Sequence, residues 1–249
     1  MTLGKGKSEL VYNGRKAQRA DSRQRRKAIL EATLRLIVKE GIRGIRHRAV
    51  AREADVPLAA TTYYFKHLND LISDAFTYFV EQNIDQTRAL QEESFAAARQ
   101  LSPEQLTAPA GRRQLIQQLT RFVLSHIRAQ ASNRDNRVIE LAFKNEALRN
   151  EQLTRAVRMA YQATENMIVE FFELLRHADP VAAAQIVHGT ILNLEFQVLS
   201  GAVSIDSPLL ERSVAMMIKG LIPPNAEEGP ADSETADSAA NIQPAPYSI

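Results

Sequence analysis

Apolar residues recur at helical spacing along most of this chain. In the first such segment Ile29, Ala32, Leu36 and Ile37 share one face, Asp21 or Ser22 can cap the start, and Gly41 marks the end. The same period predicts further helices over 46–54, 58–65, 68–90, 111–131, 134–149, 152–177, 180–199 and 208–221. No stretch alternates as a strand would, so the pattern predicts an all-α fold.

Two of the predicted helices, 46–54 and 58–65, are short and are separated by three residues. In that turn Pro57 cannot continue the first helix, and Asp55 tolerates a left-handed backbone. Small Ala51 allows a close approach of the two helices. Val56, Thr61 and Phe65 are spaced to face the core. These features are typical of a helix-turn-helix.

The charge of the chain is unevenly distributed. Residues 1–66 contain 16 Lys and Arg against 6 Asp and Glu, whereas residues 67–249 contain 15 against 23. The head therefore carries +10 and the rest −8, within a net charge of +2. A basic head next to a candidate helix-turn-helix indicates a polyanionic partner, double-stranded DNA.

The outer face of the second short helix combines small, hydroxyl-bearing and aromatic side chains. Alanine and threonine methyl groups can contact thymine, and hydroxyls can reach bases or phosphates. The alternative is a buried aromatic cluster, a role that Phe65 fits best. The expected DNA contacts are Arg46, His47, Arg48, Leu58, Ala59, Ala60, Thr62, Tyr63, Tyr64 and Lys66.

Residues 23–83 resemble the DNA-binding domain of the tetracycline-repressor (TetR) family of bacterial regulators. The matching stretches are KEGI at 39–42, RAVAREADV at 48–56, TYYF at 62–65, and Asp70-Leu71. Three positions depart from the family pattern: Asp55 replaces the usual glycine, Leu68 a common lysine, and Thr62 a frequent tyrosine. Lys66 or backbone amides could replace the phosphate contact of that lysine.

The resemblance implies a three-helix DNA-binding domain with a helix-turn-helix, joined to a larger α-helical ligand-binding and dimerisation domain. It also implies a homodimer on a palindromic operator and release of DNA by a small-molecule effector that the sequence does not identify. The resulting division is a basic flexible arm at 1–22, the DNA-binding domain at 23–83 with its helix-turn-helix at 46–65, the effector and dimerisation domain at 84–222, and a disordered acidic Pro-rich tail at 223–249.

Two further sets of residues follow for the larger domain. Helix 180–199 is apolar around most of its circumference, so we expect it to be covered on two sides, the second by a partner subunit. The expected dimer contacts are Ala183, Val187, Gly189, Leu192, Phe196, Leu210, Val214 and Met217. The expected effector contacts are Phe122, His126, Arg137, Phe143, Tyr161 and Asn166.

Other classes of protein were weighed against a regulator. The five histidines form no HExxH sequence, cysteine is absent, and there is no GxSxG or P-loop, so we expect neither an enzyme nor a cofactor or metal. Without cysteine, a signal peptide or a membrane span, a cytoplasmic, nucleoid-associated protein is expected. The remaining alternatives are a constitutive or activating DNA-binding protein without an effector and, third, an all-helical enzyme. A repressor is the favoured form.

Overall fold

The computed structural model of the protein describes residues 11–99 and 108–222, and within them it contains nine α-helices, one 3-10 turn and no strand. The helices are α1 (Ala20–Glu40), α2 (His47–Glu53), α3 (Leu58–Tyr64), α4 (Leu68–Arg99), α5 (Pro109–Ser132), α6 (Arg134–Ala147), α7 (Glu151–Leu174), α8 (Pro180–Leu199) and α9 (Pro208–Leu221). The all-α prediction is confirmed. The tail at 223–249 and the first ten residues of the predicted arm lie outside the described residues.

Local chemistry explains most helix boundaries. Gly41 ends α1 at a φ of 72°, and Asp55 takes the left-handed backbone (φ 52°) between α2 and α3. Side chains cap the N-termini of α6 to α9, each accepting a hydrogen bond from a first-turn amide; they are Asn133, Asn150, Asp179 and Ser207. α4 continues beyond the predicted end near residue 90, because no glycine or proline interrupts residues 91–99.

The start of α1 differs from the sequence prediction. The helix begins at Ala20 and has no side-chain cap, so Asp21 and Ser22 lie in its first turn. The preceding residues, predicted as flexible arm, hydrogen-bond to Asp74 of α4 and to the Tyr64 carbonyl of α3. Residues 13–15 of the predicted arm are therefore held by hydrogen bonds, and the bounds of the arm stay a prediction.

One hydrophobic core spans the predicted boundary between the two domains. Its centre is formed by α1 to α4, including Ile29, Ile37 and Phe65. Phe143 of α6 is fully buried in the same cluster, with its ring 5.0 Å from Phe76 and 6.5 Å from Phe79 of α4. α6 thus packs directly on α4, the helix that crosses the predicted domain boundary.

A second core lies in the larger domain. Apolar residues of α5, the end of α7, α8 and α9 form it, among them Leu115, Ile127, Phe172 and Val214. No helix among the described residues is long and apolar enough to cross a bilayer.

Candidate functional site

α2 and α3 form a compact helix-turn-helix on α1. The amide of Val56 donates to the carbonyl of Ala51 at 3.0 Å, which closes the turn. Thr61 and Phe65 are fully buried, as the spacing predicted. Glu53 of α2 accepts from Arg35 of α1 at 2.7 Å, and this bond holds the pKa of the Glu53 carboxyl below its usual value. The two short helices are therefore fixed in position relative to α1.

The outer face of α3 is open to solvent. Leu58, Ala59, Thr62 and Tyr63 are exposed, and Tyr63 retains 51% of its accessible surface. The Thr62 hydroxyl donates to the Ala59 carbonyl at 3.3 Å. This surface has the shape and chemistry expected of a groove-reading helix, and its contact with DNA stays a prediction.

Tyr64 was predicted as a DNA contact on the outer face of α3, and the structure corrects this. Its ring is only 5% exposed and its hydroxyl lies 2.8 Å from the Ser22 hydroxyl of α1. Tyr64 and Phe65 both belong to the first core, and Ala60 is half-buried against it. The buried-aromatic alternative therefore describes Tyr64 and Phe65, but not Tyr63.

The basic residues near α2 have different environments. Arg48 and Lys66 are exposed. Arg46 is exposed too, but its guanidinium donates to the Arg43 and Ile45 carbonyls at 2.8 and 2.7 Å. His47 is half-buried, and burial lowers its pKa.

A cluster of charged groups lies in the larger domain where α5, α6, α7 and α8 meet. Glu195 of α8 is only 3% exposed and accepts from Arg137 of α6 at 3.1 Å. His126 Nε2 of α5 approaches the other oxygen of Glu195 at 3.2 Å. Arg137 also contacts Glu140 at 2.5 Å, and Glu140 contacts Lys144 at 2.6 Å. Two carboxylates therefore face two permanent cations and a histidine in a largely desolvated place.

An aromatic pair borders this cluster. The rings of Tyr161 and His188 stack with 4.5 Å between centroids. Burial, followed by the charge of Lys144, lowers the pKa of His188, and burial raises the pKa of Tyr161. In the described part of the chain His188 Nδ1 and Arg137 Nε are buried without a hydrogen-bond partner, and Glu195 Oε1 has the His126 contact but no hydrogen bond. Buried polar atoms of this kind can bind a polar ligand if the helices open.

The predicted effector residues fall into three groups. His126, Arg137 and Tyr161 are brought together at this cluster, and Phe122 is half-buried against the second core. Asn166 is exposed and accepts from Gln162. Phe143 was predicted as an effector contact, and the structure corrects this, because its side chain is buried in the first core against α4. Sequence reasoning missed Glu195 and His188, although they are the two titratable residues of a largely apolar helix, and that was the available signal.

The predicted dimer residues also divide. Four of them are buried in the second core of the same chain: Ala183, Val187, Leu210 and Val214. The prediction that these four contact a partner subunit is therefore corrected. Leu192 and Met217 are half-buried, whereas Gly189 and Phe196 are exposed. The spacing of apolar residues in α8 and α9 gives each helix two apolar faces. One face of each helix is buried in the second core of the same chain.

The other face of α8 and α9 is exposed and apolar. Phe196 and Met216 retain 53% and 76% of their accessible surface, and Ile186 and Leu209 are similarly open. A shallow groove of about 480 Å³ runs between the helices, lined by Ile186, Thr190, Ser213, Met216, Met217, Gly220 and Leu221. Such a contiguous apolar surface indicates a protein contact.

The geometry defines a helix-turn-helix protein with a large helical second domain. No protein-family model matches the chain. The HTH-type transcriptional regulator PksA of Bacillus subtilis (strain 168) is 33% identical over 85 residues, which are 34% of this chain and 38% of that protein. The chain thus matches well under half the length of this curated relative.

Solved structures extend the similarity to most of the chain. A TetR-family member from Streptomyces coelicolor A3 is 26% identical with a TM-score of 0.53, and the match covers 80% of this chain and 99% of that one. A TetR-family transcriptional regulator from a Rhodococcus species is 21% identical with a TM-score of 0.57, covering 81% and 100%. These proteins are regulators, not enzymes. The resemblance to the TetR family is confirmed, and the chain has the all-helical fold of its members.

Proposed function

We propose that this protein is a ligand-responsive transcriptional regulator that binds a palindromic operator as a homodimer, most simply as a repressor. The observation that carries this proposal is the exposed face of α3, with Leu58, Thr62 and Tyr63, in a head of charge +10. α3 is held from behind by buried Thr61, Tyr64 and Phe65. It is therefore a rigid helix with its groove-facing side free.

Dimerisation through α8 and α9 supports the operator proposal. One helix of seven residues contacts few base pairs, so sequence specificity requires a second copy at a fixed distance. Ile186, Phe196, Leu209 and Met216 form an apolar face that a second copy of the chain would cover by isologous contact. Exposed Gly189 allows the backbones to approach closely there.

Effector response is supported by the cluster around Glu195. A ligand that offers its own charges or hydrogen bonds to Glu195, Arg137 and His188 would rearrange α6 and α8. α6 packs on α4 through Phe143, and α4 leads directly to the helix-turn-helix. A ligand favouring one arrangement of these helices would change DNA affinity by its differential binding to the two arrangements.

The primary test is selection of bound duplexes from a random pool by the full-length protein. We expect recovery of a palindrome whose half-sites are about one helical turn apart or a multiple of it. We also expect binding to weaken steeply with salt, because the basic head contacts phosphates. Recovery of no enriched sequence would refute the operator proposal.

A second test separates an effector-controlled regulator from a constitutive one. Thermal unfolding is measured against a panel of metabolites; a ligand at about 100 times its Kd stabilises the protein by about 2.7 kcal/mol. We expect a hit whose effect is lost in Glu195→Gln and which lowers operator affinity. A hit that leaves operator affinity unchanged would favour constitutive binding.

A further inference from the structure

The residues just before α1 form a short strap, residues 12–15, that lies between α4 and the end of α3. Its anchor is Asp74, a fully buried carboxylate of α4. One oxygen of Asp74 accepts from the Asn13 amide at 2.6 Å, and the other accepts from the Gly14 amide at 3.0 Å and from Arg26 at 2.5 Å. These charge-assisted bonds offset the cost of burying the carboxylate, and they fix the strap backbone to α4.

The strap also contacts the C-terminal end of α3. The Arg15 amide donates to the Tyr64 carbonyl at 2.8 Å. A Cβ atom at Gly14 would lie 2.6 Å from a ring carbon of Phe65 and 2.9 Å from the Tyr64 carbonyl oxygen. Only glycine therefore lets the backbone approach α3 this closely. The hydrogen bond from Arg15 and this close approach together fix the strap relative to α3.

This position places the Arg15 side chain on the exposed face of α3. Its guanidinium carbon lies 4.2 Å from the centroid of the Tyr63 ring. Both residues are exposed, and within the described residues Arg15 forms no salt bridge. A guanidinium stacked on an aromatic ring keeps the donors at its edge free, and those donors suit a phosphate group.

We propose that Arg15 is a DNA contact residue, binding a backbone phosphate beside the groove that Tyr63 enters, and that Asp74 and Gly14 are its positioning residues. This inference rests on the proposed function, because it takes DNA as the partner of α3. The strap thus adds a cation to a helix that carries no charged residue of its own between Leu58 and Tyr64.

The first experiment compares Arg15→Ala with Arg158→Ala, which removes an exposed arginine from α7. Affinity for the selected operator is measured between 50 and 200 mM salt. Arg15→Ala is expected to reduce the steepness of log affinity against log salt by about 0.9 for each protomer, because each protomer loses one phosphate contact. The affinity loss caused by each missing contact should therefore be about 3.5-fold smaller at 200 mM salt than at 50 mM. Arg158→Ala is expected to retain the wild-type slope, and Arg15→Lys to retain it as well.

The second experiment tests positioning with Gly14→Ala and the Gly14→Ala, Arg15→Ala double variant. The added methyl group must displace the strap, so Gly14→Ala is expected to weaken operator binding. If Gly14→Ala weakens binding by displacing Arg15, the double variant should bind the operator with the same affinity as the single variant that binds less tightly. Purely additive losses would show that the strap supports α3 without presenting Arg15, and would overturn the positioning role.

The outcomes separate this inference from the proposed function. If the wild-type protein selects no duplex, the operator proposal fails and the contact at Arg15 falls with it. If the wild-type protein binds while Arg15→Ala keeps its affinity and salt slope, only the contact at Arg15 is refuted. A loss of affinity in Arg15→Ala with an unchanged slope and a lowered unfolding temperature would assign the residue to folding, and would also refute it.

Discussion

At the end of α3 two neighbouring tyrosines have opposite environments. The Tyr63 ring is exposed and stacked under Arg15, whereas the Tyr64 ring is buried and its hydroxyl pairs with Ser22. Adjacent positions of a helix are about 100° apart, so one can face the groove while the next faces the core. The two residues therefore provide a matched pair for separating binding from folding.

Tyr63→Ala should weaken operator binding and leave the free energy of unfolding nearly unchanged. Tyr64→Ala should instead destabilise the domain by about 3–5 kcal/mol, because it removes a buried ring. Denaturant unfolding and operator affinity, measured on both variants, check this. Unfolding of the Tyr63 variant would show that this side chain, too, is structural.

Asp55 gives a second prediction at this scale. Its φ of 52° lies in the left-handed region, which is strained for side chains other than glycine, asparagine and aspartate. Asp55→Ala should therefore be less stable than Asp55→Gly by about 1 kcal/mol. Equal unfolding midpoints for the two variants would show that the turn relaxes when the residue is changed.

Among the helices, α8 combines two roles that its composition alone does not separate. Its buried side holds Glu195 and His188 as well as apolar residues, and its other side is exposed and apolar. The charged groups around His188 are Lys144, Glu140, Glu165 and Glu195, and the Tyr161 ring stacks on it. Protonation of His188 would place a second positive charge beside Lys144 in the contact between α8 and α7.

We predict that acid destabilises the larger domain through His188. Burial holds its folded pKa below the unfolded value of about 6.5, so its contribution to stability is present above that pH and is lost as the pH falls through the folded pKa. The thermal midpoint should drop between pH 7.5 and 5.5, and His188→Gln should show a smaller drop. An equal drop in both proteins would exclude His188 as the cause.

For the whole molecule, we propose that the open face of α8 and α9 forms the dimer interface. Met216 is 76% exposed and lines the groove with Ile186, and Phe196 and Leu209 are exposed apolar residues of the same two helices. Met216→Glu would place a charge in the proposed interface, where it could not be hydrated, and should convert the dimer to a monomer. Leu148→Glu is the control, since Leu148 is 82% exposed on a different surface.

Sedimentation velocity or light scattering measures this change. The Met216 variant should also lose operator affinity, because the two reading helices are no longer held at a fixed distance. A dimeric Met216→Glu protein would show that the subunits pair through another surface.

The first hydrophobic core contains residues from both sides of the predicted domain boundary. Phe143 of the larger domain packs on Phe76 and Phe79 of α4, and Leu153 of α7 joins the same cluster. A boundary at residue 83 or 84, drawn from the sequence, divides the chain by function more than by packing. The division of the chain into these domains stays a prediction.

The sequence by itself determined the helices, the helix-turn-helix and the basic head, since these depend on local periodicity, turn residues and composition. Where a helix has more than one apolar face, tertiary structure alone decided which of them is buried within the chain. Tyr64, Phe143, Ala183 and Val214 were assigned to binding surfaces and lie in cores, because an apolar side chain suits either place equally well. It also brought Glu195 to Arg137, and Asp74 to the strap, across 58 and 60 residues of chain. No local pattern encodes such contacts, because they form only when distant helices pack.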